Sequence, residues 1–253
     1  MSPIQIQIIG DSHVDAVKRA ASALASDVSV NFKVQRILRL KDDKPIGDVD
    51  LEVFMQRIAT LAPRDLVVSM VGGNQYNAFG LVQHPEAFDF HLPERPDLPP
   101  LREREILPYH VLRELFHSGV RGKDGDRIHK LRQSTPARVV HVCPPPPKED
   151  ADLIMRRHET LFLKQGLLEH GVTPATIRLK LWLLQVSVLK ALCAEWGVEL
   201  LPLPPGTQTP MGYLAPAYFA DDATHANRDY ATLMLAQLKA LASTPPLAQG
   251  TQP

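Results

Sequence analysis

The run Leu66-Val67-Val68-Ser69-Met70-Val71 is almost continuously apolar and ends at Gly72-Gly73. A short run of this kind predicts a strand buried on both faces, as in a parallel sheet with helices packed on each side. The segment before it, from Asp50 to Leu61, repeats apolar residues at helical spacing and stops at Pro63. A buried strand alternating with an amphipathic helix is the repeating unit of an α/β fold.

The same alternation recurs along the whole chain. Strands are predicted at 4–9, 28–40, 66–71, 138–142 and 198–203, and helices at 14–24, 50–61, 104–117, 127–133, 149–168, 174–196 and 230–241. This order predicts a doubly wound, flavodoxin-like α/β fold: a five-stranded parallel sheet with helices on both faces. Residues 75–135 are long and proline-rich, and they predict a helical and loop insertion after the third strand. We expect one domain over 1–242 and a disordered tail over 243–253.

Composition and charge exclude several classes of protein. Of the 253 residues, 44% are hydrophobic, and 28 Lys+Arg balance 28 Asp+Glu. Zero formal net charge argues against nucleic acid or an anionic membrane as a partner. The two cysteines, Cys143 and Cys193, are too few for a disulfide framework or a four-cysteine zinc site, and both are expected to be buried. The N-terminus lacks a signal-peptide pattern and charged residues interrupt the apolar segment 179–196, so we expect a cytoplasmic protein with no membrane span.

Three loops at the predicted carboxyl ends of the strands carry reactive side chains, and ligands of doubly wound folds bind at that edge. They read Gly10-Asp11-Ser12-His13, Gly72-Gly73-Asn74-Gln75 and Asp221-Asp222-Ala223-Thr224-His225-Ala226-Asn227. A serine, an amide and a carboxylate–histidine pair are the residue types of a nucleophile, an oxyanion donor and an acid–base pair. Each loop alone is also an ordinary helix cap or turn, because Asp, Ser, Asn and Gly are favoured there.

Together, the three loops resemble sequence blocks of the SGNH (GDSL-type) hydrolases. Gly10-Asp11-Ser12 is similar to the first block, Gly73-Asn74 to the third, and Asp222-Ala223-Thr224-His225 to the fifth. The resemblance extends in order, spacing and α/β pattern over residues 4–240. It implies an SGNH-type fold and a serine esterase that works through an acyl-enzyme, with no cofactor. It also implies a small-molecule ester substrate, such as an acetyl or short-acyl ester of a carbohydrate.

The resemblance assigns three catalytic roles. Ser12 is implied to be the nucleophile, His225 the general base, and Asp222 the carboxylate that orients the histidine. Asp221 is an alternative to Asp222, but the family spacing of two intervening residues selects Asp222.

The oxyanion hole is the part of the family pattern from which this sequence departs. The resemblance implies donation by the backbone N–H of Ser12 and the side chain of Asn74. Residues 34–40 lack the glycine of the family's second block, so Gly47 or another backbone amide has to supply that donor. The third block also lacks the usual acidic residue after Asn74. Three neighbours are expected to bind substrate, although the histidine among them has a second interpretation as a solvated or core residue: Asp11, His13 and Gly73.

Other interpretations stay open at this point. The same serine could transfer the acyl group to an acceptor other than water, or the chain could be an inactive binding or scaffold protein that keeps the fold. The ten histidines are scattered and no HExxH motif occurs, so no metal site is predicted. Within the insertion, Phe88-Asp89-Phe90 is expected to form a small core of its own, with a lid contact or acyl-pocket wall as the alternative. Asp124-Gly125-Asp126 is expected to form a turn.

Overall fold

The structure, a computed structural model, describes residues 2–25, 27–41 and 43–244. The strands are β1 (Ile4–Gly10), β2 (Val30–Arg36), β3 (Arg39–Lys41), β4 (Lys44–Ile46), β5 (Leu66–Met70), β6 (Phe88–Asp89), β7 (Glu105–Ile106), β8 (Arg138–Val142) and β9 (Glu199–Leu201). The helices are α1 (Val14–Ser22), α2 (Leu51–Ile58), α3 (Gln75–Gly80), α4 (Tyr109–Arg121), α5 (Lys123–Gln133), α6 (Ala151–Arg156), α7 (Thr160–Lys164), α8 (Leu167–His170), α9 (Ala175–Glu195) and α10 (Arg228–Ala242). A short 3₁₀ helix spans Pro216–Tyr218.

The main sheet has five parallel strands in the order β2-β1-β5-β8-β9. This order reverses direction after β2, as in a doubly wound sheet, and it confirms the predicted fold class. The second strand ends at Arg36, earlier than predicted, because the chain turns there into the antiparallel hairpin β3–β4.

Helices cover both faces of the sheet, and the alternation of side chains along each strand explains why. On β1 and β5, Ile8 and Val68 belong to a core with α1 and α10. Their neighbours Ile9 and Val67 belong to the opposite core with α2, α5 and α9. Because successive strand side chains point to opposite faces, a continuously apolar strand serves both cores.

The segment predicted as an insertion is partly an element of the basic fold. Helix α5 packs against β5 and β8 and is the crossover helix between those two strands. The predicted turn Asp124-Gly125-Asp126 is wrong, since these residues form the beginning of α5. The predicted separate core around Phe88-Asp89-Phe90 is also wrong, because Phe90 is fully buried in the core that α9 shares with the sheet. What remains of the insertion is α3, α4 and the two-stranded β6–β7 ladder.

The prediction of one continuous helix at 149–168 is also wrong. The chain forms three short helices there, α6, α7 and α8, with a bend between α6 and α7. Glu159 lies at this bend in an extended backbone conformation. Helix α9 is one residue shorter at each end than the predicted 174–196, and at its start Pro174 is the N-cap and not the first helical residue.

The ends of the described chain bear on two further expectations. Ser243 and Thr244 follow α10, and the rest of the predicted tail, 245–253, lies outside the described residues. The single-domain organisation stays a prediction. Within the described residues, no helix is both long and apolar enough to span a membrane.

Candidate active site

Three side chains from two distant parts of the sequence meet beyond the carboxyl end of β1. Ser12, in the turn between β1 and α1, has its Oγ 2.9 Å from His225 Nε2. The other ring nitrogen, His225 Nδ1, lies 2.9 Å from Asp222 Oδ2. The structure therefore brings together the serine, histidine and aspartate that the sequence singled out, in one chain of hydrogen bonds.

The loop before α10 holds Asp222 and His225 in place through its own backbone. Asp222 Oδ1 accepts hydrogen bonds from the backbone N–H groups of Thr224 (3.0 Å) and His225 (2.7 Å), which leaves Oδ2 for the histidine ring. Asn227 then caps α10 by accepting from the N–H groups of Asp229 and Tyr230. The alternative carboxylate, Asp221, is mostly exposed and pairs with Arg157 at 3.1 Å.

The charge of Asp222 is strongly stabilised. Burial of its carboxyl group favours the neutral form, but the hydrogen bonds and charge of His225 outweigh this effect and hold the pKa of Asp222 well below its usual range. Asp222 is therefore ionised at neutral pH, as the partner of a histidine that takes up a proton must be.

A buried lysine, which the sequence analysis did not single out, forms hydrogen bonds with the backbone of this loop. Lys148 is almost fully buried, and its Nζ donates to the backbone carbonyls of Ala220, at 2.7 Å, and Asp222. The same Nζ lies 3.7 Å from Asp222 Oδ1. Burial lowers the pKa of Lys148, and the nearby carboxylates of Asp222 and Glu159 oppose that shift. Its sequence signal was weak: a single lysine after the run Pro144 to Pro147.

The loop after β5 is fastened on both sides of Asn74. Gln185, buried on α9, donates from Nε2 to the Gly73 carbonyl at 3.0 Å and accepts from the Tyr76 N–H at 2.7 Å. Gly73 adopts a φ of +86°, a conformation that favours glycine. Asn74 Oδ1 accepts from the Asn77 side chain at 2.7 Å, so its amide Nδ2 is the end available as a donor. Gln185 could have been noticed as a polar residue within the most apolar predicted helix.

Asp11 connects two of the loops instead of standing free in the site. Its Oδ2 accepts from the backbone N–H of Gly72 at 3.1 Å, which joins the loop after β1 to the loop after β5. This contact supplies a structural reason for an aspartate before Ser12. The expectation that Asp11 and Gly73 bind substrate stays a prediction.

The ring of His13 packs beside the ring of His225, with 4.3 Å between their centroids. Burial and the neighbouring His225 lower the pKa of His13 to about 3, against the opposing charge of Asp222. His13 is therefore neutral at neutral pH and adds no positive charge beside His225. Its predicted contact with substrate also stays a prediction.

Gly47 lies in the exposed turn after β4, and the backbone conformation of this turn explains why a glycine occurs there. It adopts a φ of +125°, and a Cβ there would lie 2.4 Å from the Ile37 carbonyl oxygen. The backbone N–H groups of Ile37 and Leu38, directly after β2, donate to the carbonyls of Gly10 and Val49. Those two amides are therefore occupied, and Gly47 as an oxyanion donor stays a prediction.

A small cavity of about 40 Å³ lies between the sheet, α1 and α10, next to these loops. His13, Gly72 and Gly73 contribute to its wall, and the remaining lining is mostly apolar, including Met70, Val142, Ala231 and Met234. A volume of this size holds about two or three waters, or a short alkyl group.

Glu159, Asp222 and His225 are near enough to share a metal ion, with one ligand atom from each within 4.8 Å of the others. Two observations disfavour a cation at this place. His225 Nδ1 and Asp222 Oδ2 already bond to each other, and the ammonium group of Lys148 lies 3.7 Å from Asp222. The donor set therefore fits a hydrogen-bonded network better than a metal centre.

The chain is similar to several solved structures. One is a GDSL-like lipase from Bacteroides thetaiotaomicron, with 11% identity over 94% of this chain and 87% of that chain and a TM-score of 0.46. A carbohydrate acetylesterase from Sinorhizobium meliloti has 13% identity over 94% and 96%, with a TM-score of 0.42. An aryl esterase of M. smegmatis has 14% identity over 94% and 99%, with a TM-score of 0.45. No protein-family model and no curated protein matches the chain. At these identities, what the chain does has to follow from its own residues.

Proposed function

We propose that the chain is a serine esterase of SGNH type, which hydrolyses carboxylic esters through an acyl-enzyme intermediate. The observation that carries this proposal is the continuous hydrogen-bonded series Ser12 Oγ, His225 Nε2, His225 Nδ1 and Asp222 Oδ2, with 2.9 Å at both side-chain contacts. If the three loops only capped helices or formed turns, these three side chains would have no reason to meet.

The reaction has two halves. Ser12 Oγ attacks the ester carbonyl while its proton passes to His225 Nε2, and Asp222 stabilises the imidazolium that forms. When the tetrahedral intermediate collapses, the C–O bond to the alcohol breaks and His225 returns the proton to the leaving oxygen. Water, deprotonated by His225, then attacks the acyl-enzyme. The bond between the acyl carbon and Ser12 Oγ breaks, and His225 returns the proton to Oγ as the carboxylic acid leaves.

The developing oxyanion needs donors, and we propose the backbone N–H of Ser12 and the side-chain Nδ2 of Asn74. The hydrogen bonds from Asn77 and Gln185 support this role, because a donor contributes most when it is already positioned before the reaction. We expect Asn74→Ala to lower kcat by about 10²–10³-fold with little change in KM. Steady-state kinetics measure this, and Asn31→Ala, an exposed asparagine at the far end of the sheet, is the matched control. A loss of less than about threefold would remove Asn74 from the oxyanion hole.

The size of the cavity supports a short acyl group. A space of about 40 Å³ beside His13 and Gly73 is similar in size to an acetyl or propionyl chain. We expect kcat/KM for 4-nitrophenyl esters to be at least about tenfold higher for acetyl than for octanoyl. Hydrolysis of an acetyl-to-octanoyl series is the experiment that tests the proposal. Folded protein that cleaves no member of the series would contradict the esterase, whereas a preference for octanoyl would contradict only the short acyl group.

A further inference from the structure

A second carboxylate lies beside His225, outside the three residues that the sequence pattern selects. Glu159, at the bend between α6 and α7, has its Oε1 3.9 Å from His225 Nδ1. That is 1.0 Å longer than the 2.9 Å contact between the same nitrogen and Asp222. A small side-chain movement would therefore bring Glu159 into hydrogen-bond distance.

Glu159 is directed toward the histidine by Thr224. The Thr224 hydroxyl donates to Glu159 Oε1 at 2.7 Å, and the same Thr224 Oγ1 lies 3.4 Å from His225 Nδ1. Thr224 belongs to the loop that presents Asp222 and His225, so this contact ties α7 to the proposed triad. The arrangement places two carboxylates around one ring nitrogen.

The second oxygen of Glu159 has no evident partner. Glu159 Oε2 is buried and forms no hydrogen bond with the described residues. A buried, unpaired carboxylate oxygen is unfavourable, and such a group in a native structure calls for an explanation. The imidazolium that forms on His225, 3.9 Å from Oε1 of the same group, would stabilise the charge of the whole carboxylate during the reaction.

We propose that Glu159 is a positioning residue for His225: it stabilises the imidazolium together with Asp222 and takes over the Nδ1 hydrogen bond when Asp222 is removed. This inference rests on the proposed esterase function. Among the described residues, four titratable side chains lie beside His225 or its partner Asp222. Asp222 and Glu159 contribute negative charge, Lys148 contributes positive charge on the far side of Asp222, and His13 is neutral at its ring face.

The removal of Glu159 alone has a predictable effect on the protonation of His225. With one negative charge fewer nearby, the protonated ring of His225 is less stable. We expect Glu159→Gln to move the acidic limb of the pH–activity profile to lower pH and to lower kcat by less than about tenfold. Glutamine preserves the acceptor for Thr224 and therefore the fold. Glu169→Gln, an exposed glutamate on α8, is the matched control and leaves the profile unchanged.

The decisive comparison is between Asp222→Ala and the double variant Asp222→Ala/Glu159→Gln. If Glu159 takes over, the double variant is at least about tenfold slower than Asp222→Ala, a greater loss than Glu159→Gln causes in the wild-type background. Equal rates for the single and double variants would overturn the proposal. Unfolding midpoints confirm that every variant is folded.

An NMR titration of the His225 ring gives a second readout that needs no turnover. We expect Glu159→Gln to shift the midpoint of this titration to lower pH, also in a Ser12→Ala background. An unchanged midpoint overturns the role of Glu159. Failure of the esterase proposal looks different, because wild type then cleaves no ester while the His225 titration still responds to Glu159.

Discussion

Ser12→Ala is expected to lower kcat/KM for a cleaved 4-nitrophenyl ester by at least about a thousandfold, with the protein still folded. The variant keeps the backbone N–H of residue 12 and the His225–Asp222 hydrogen bond but has no Oγ to attack the carbonyl. Ser12 Oγ lies 2.9 Å from His225 Nε2, so alanine removes the atom that the histidine would activate. Ser22→Ala, at an exposed position on α1, the helix that follows Ser12, is the matched control and leaves the rate unchanged.

A covalent probe separates this result from its alternatives. We expect a serine-directed phosphonate to label wild type and not Ser12→Ala. Equal, slow rates for both folded proteins, with no labelling, would favour a binding or scaffold protein that keeps the fold. Labelling at Ser12 accompanied by acyl product on an added alcohol would assign the same serine to acyl transfer.

Lys180→Met is expected to lower the free energy of unfolding by about 3–5 kcal/mol. Lys180 Nζ and the Asp89 carboxylate form an ion pair in which both side chains are fully buried. Nζ also donates to the Phe90 carbonyl at 2.9 Å, while Asp89 Oδ2 accepts from the Leu101 N–H at 2.9 Å. Methionine fills nearly the same volume but leaves the buried charge of Asp89 without a cation.

Denaturant unfolding measures this loss as a lower midpoint at an unchanged slope. Two variants make the interpretation specific. Arg121→Met breaks an ion pair with Glu195 in which both side chains are about half exposed, and we expect almost no change in the midpoint. Lys180→Met/Asp89→Asn removes both charges and should recover part of the loss. If Lys180→Met unfolds at the wild-type midpoint, the ion pair does not hold the insertion to α9.

The predicted strands show how much of the fold is determined by residues that are close together in the sequence. The bounds of β8 were predicted at 138–142, as observed, because a short apolar run between turn residues has few alternatives. Helix α5 was misassigned to the insertion because its contact with β5 and β8 has no local signature. The interrupted helix after Asp150 was missed for the same reason: at the break, Glu159 contacts Thr224, which lies in a loop far away in sequence.

The residues of the candidate site also fall into two groups: those that the sequence indicates and those that only the structure reveals. Ser12, Asn74, Asp222 and His225 could be selected from the sequence alone, because each follows a strand or precedes a helix at a spacing that a known family shares. Lys148 and Glu159 could not, and Gln185 is distinguished in the sequence only as a polar residue in an apolar helix, with no indication of its role. Each contacts the loops of the site from a distant position in the sequence. Lys148 and Gln185 form hydrogen bonds with backbone groups, and Glu159 accepts one from the Thr224 hydroxyl.

The sequence by itself determined the α/β class, the alternation of strands and helices, and the loops at which chemistry is expected. These properties depend on hydrophobic period and on capping residues, which act over a few neighbours along the chain. The tertiary structure decided which polar groups are paired. It tied Asp11 to Gly72, placed Lys148 beneath Asp222, and brought Glu159 to His225. Hydrogen bonds and ion pairs act over a few ångströms in space, and that proximity exists only once the chain has folded.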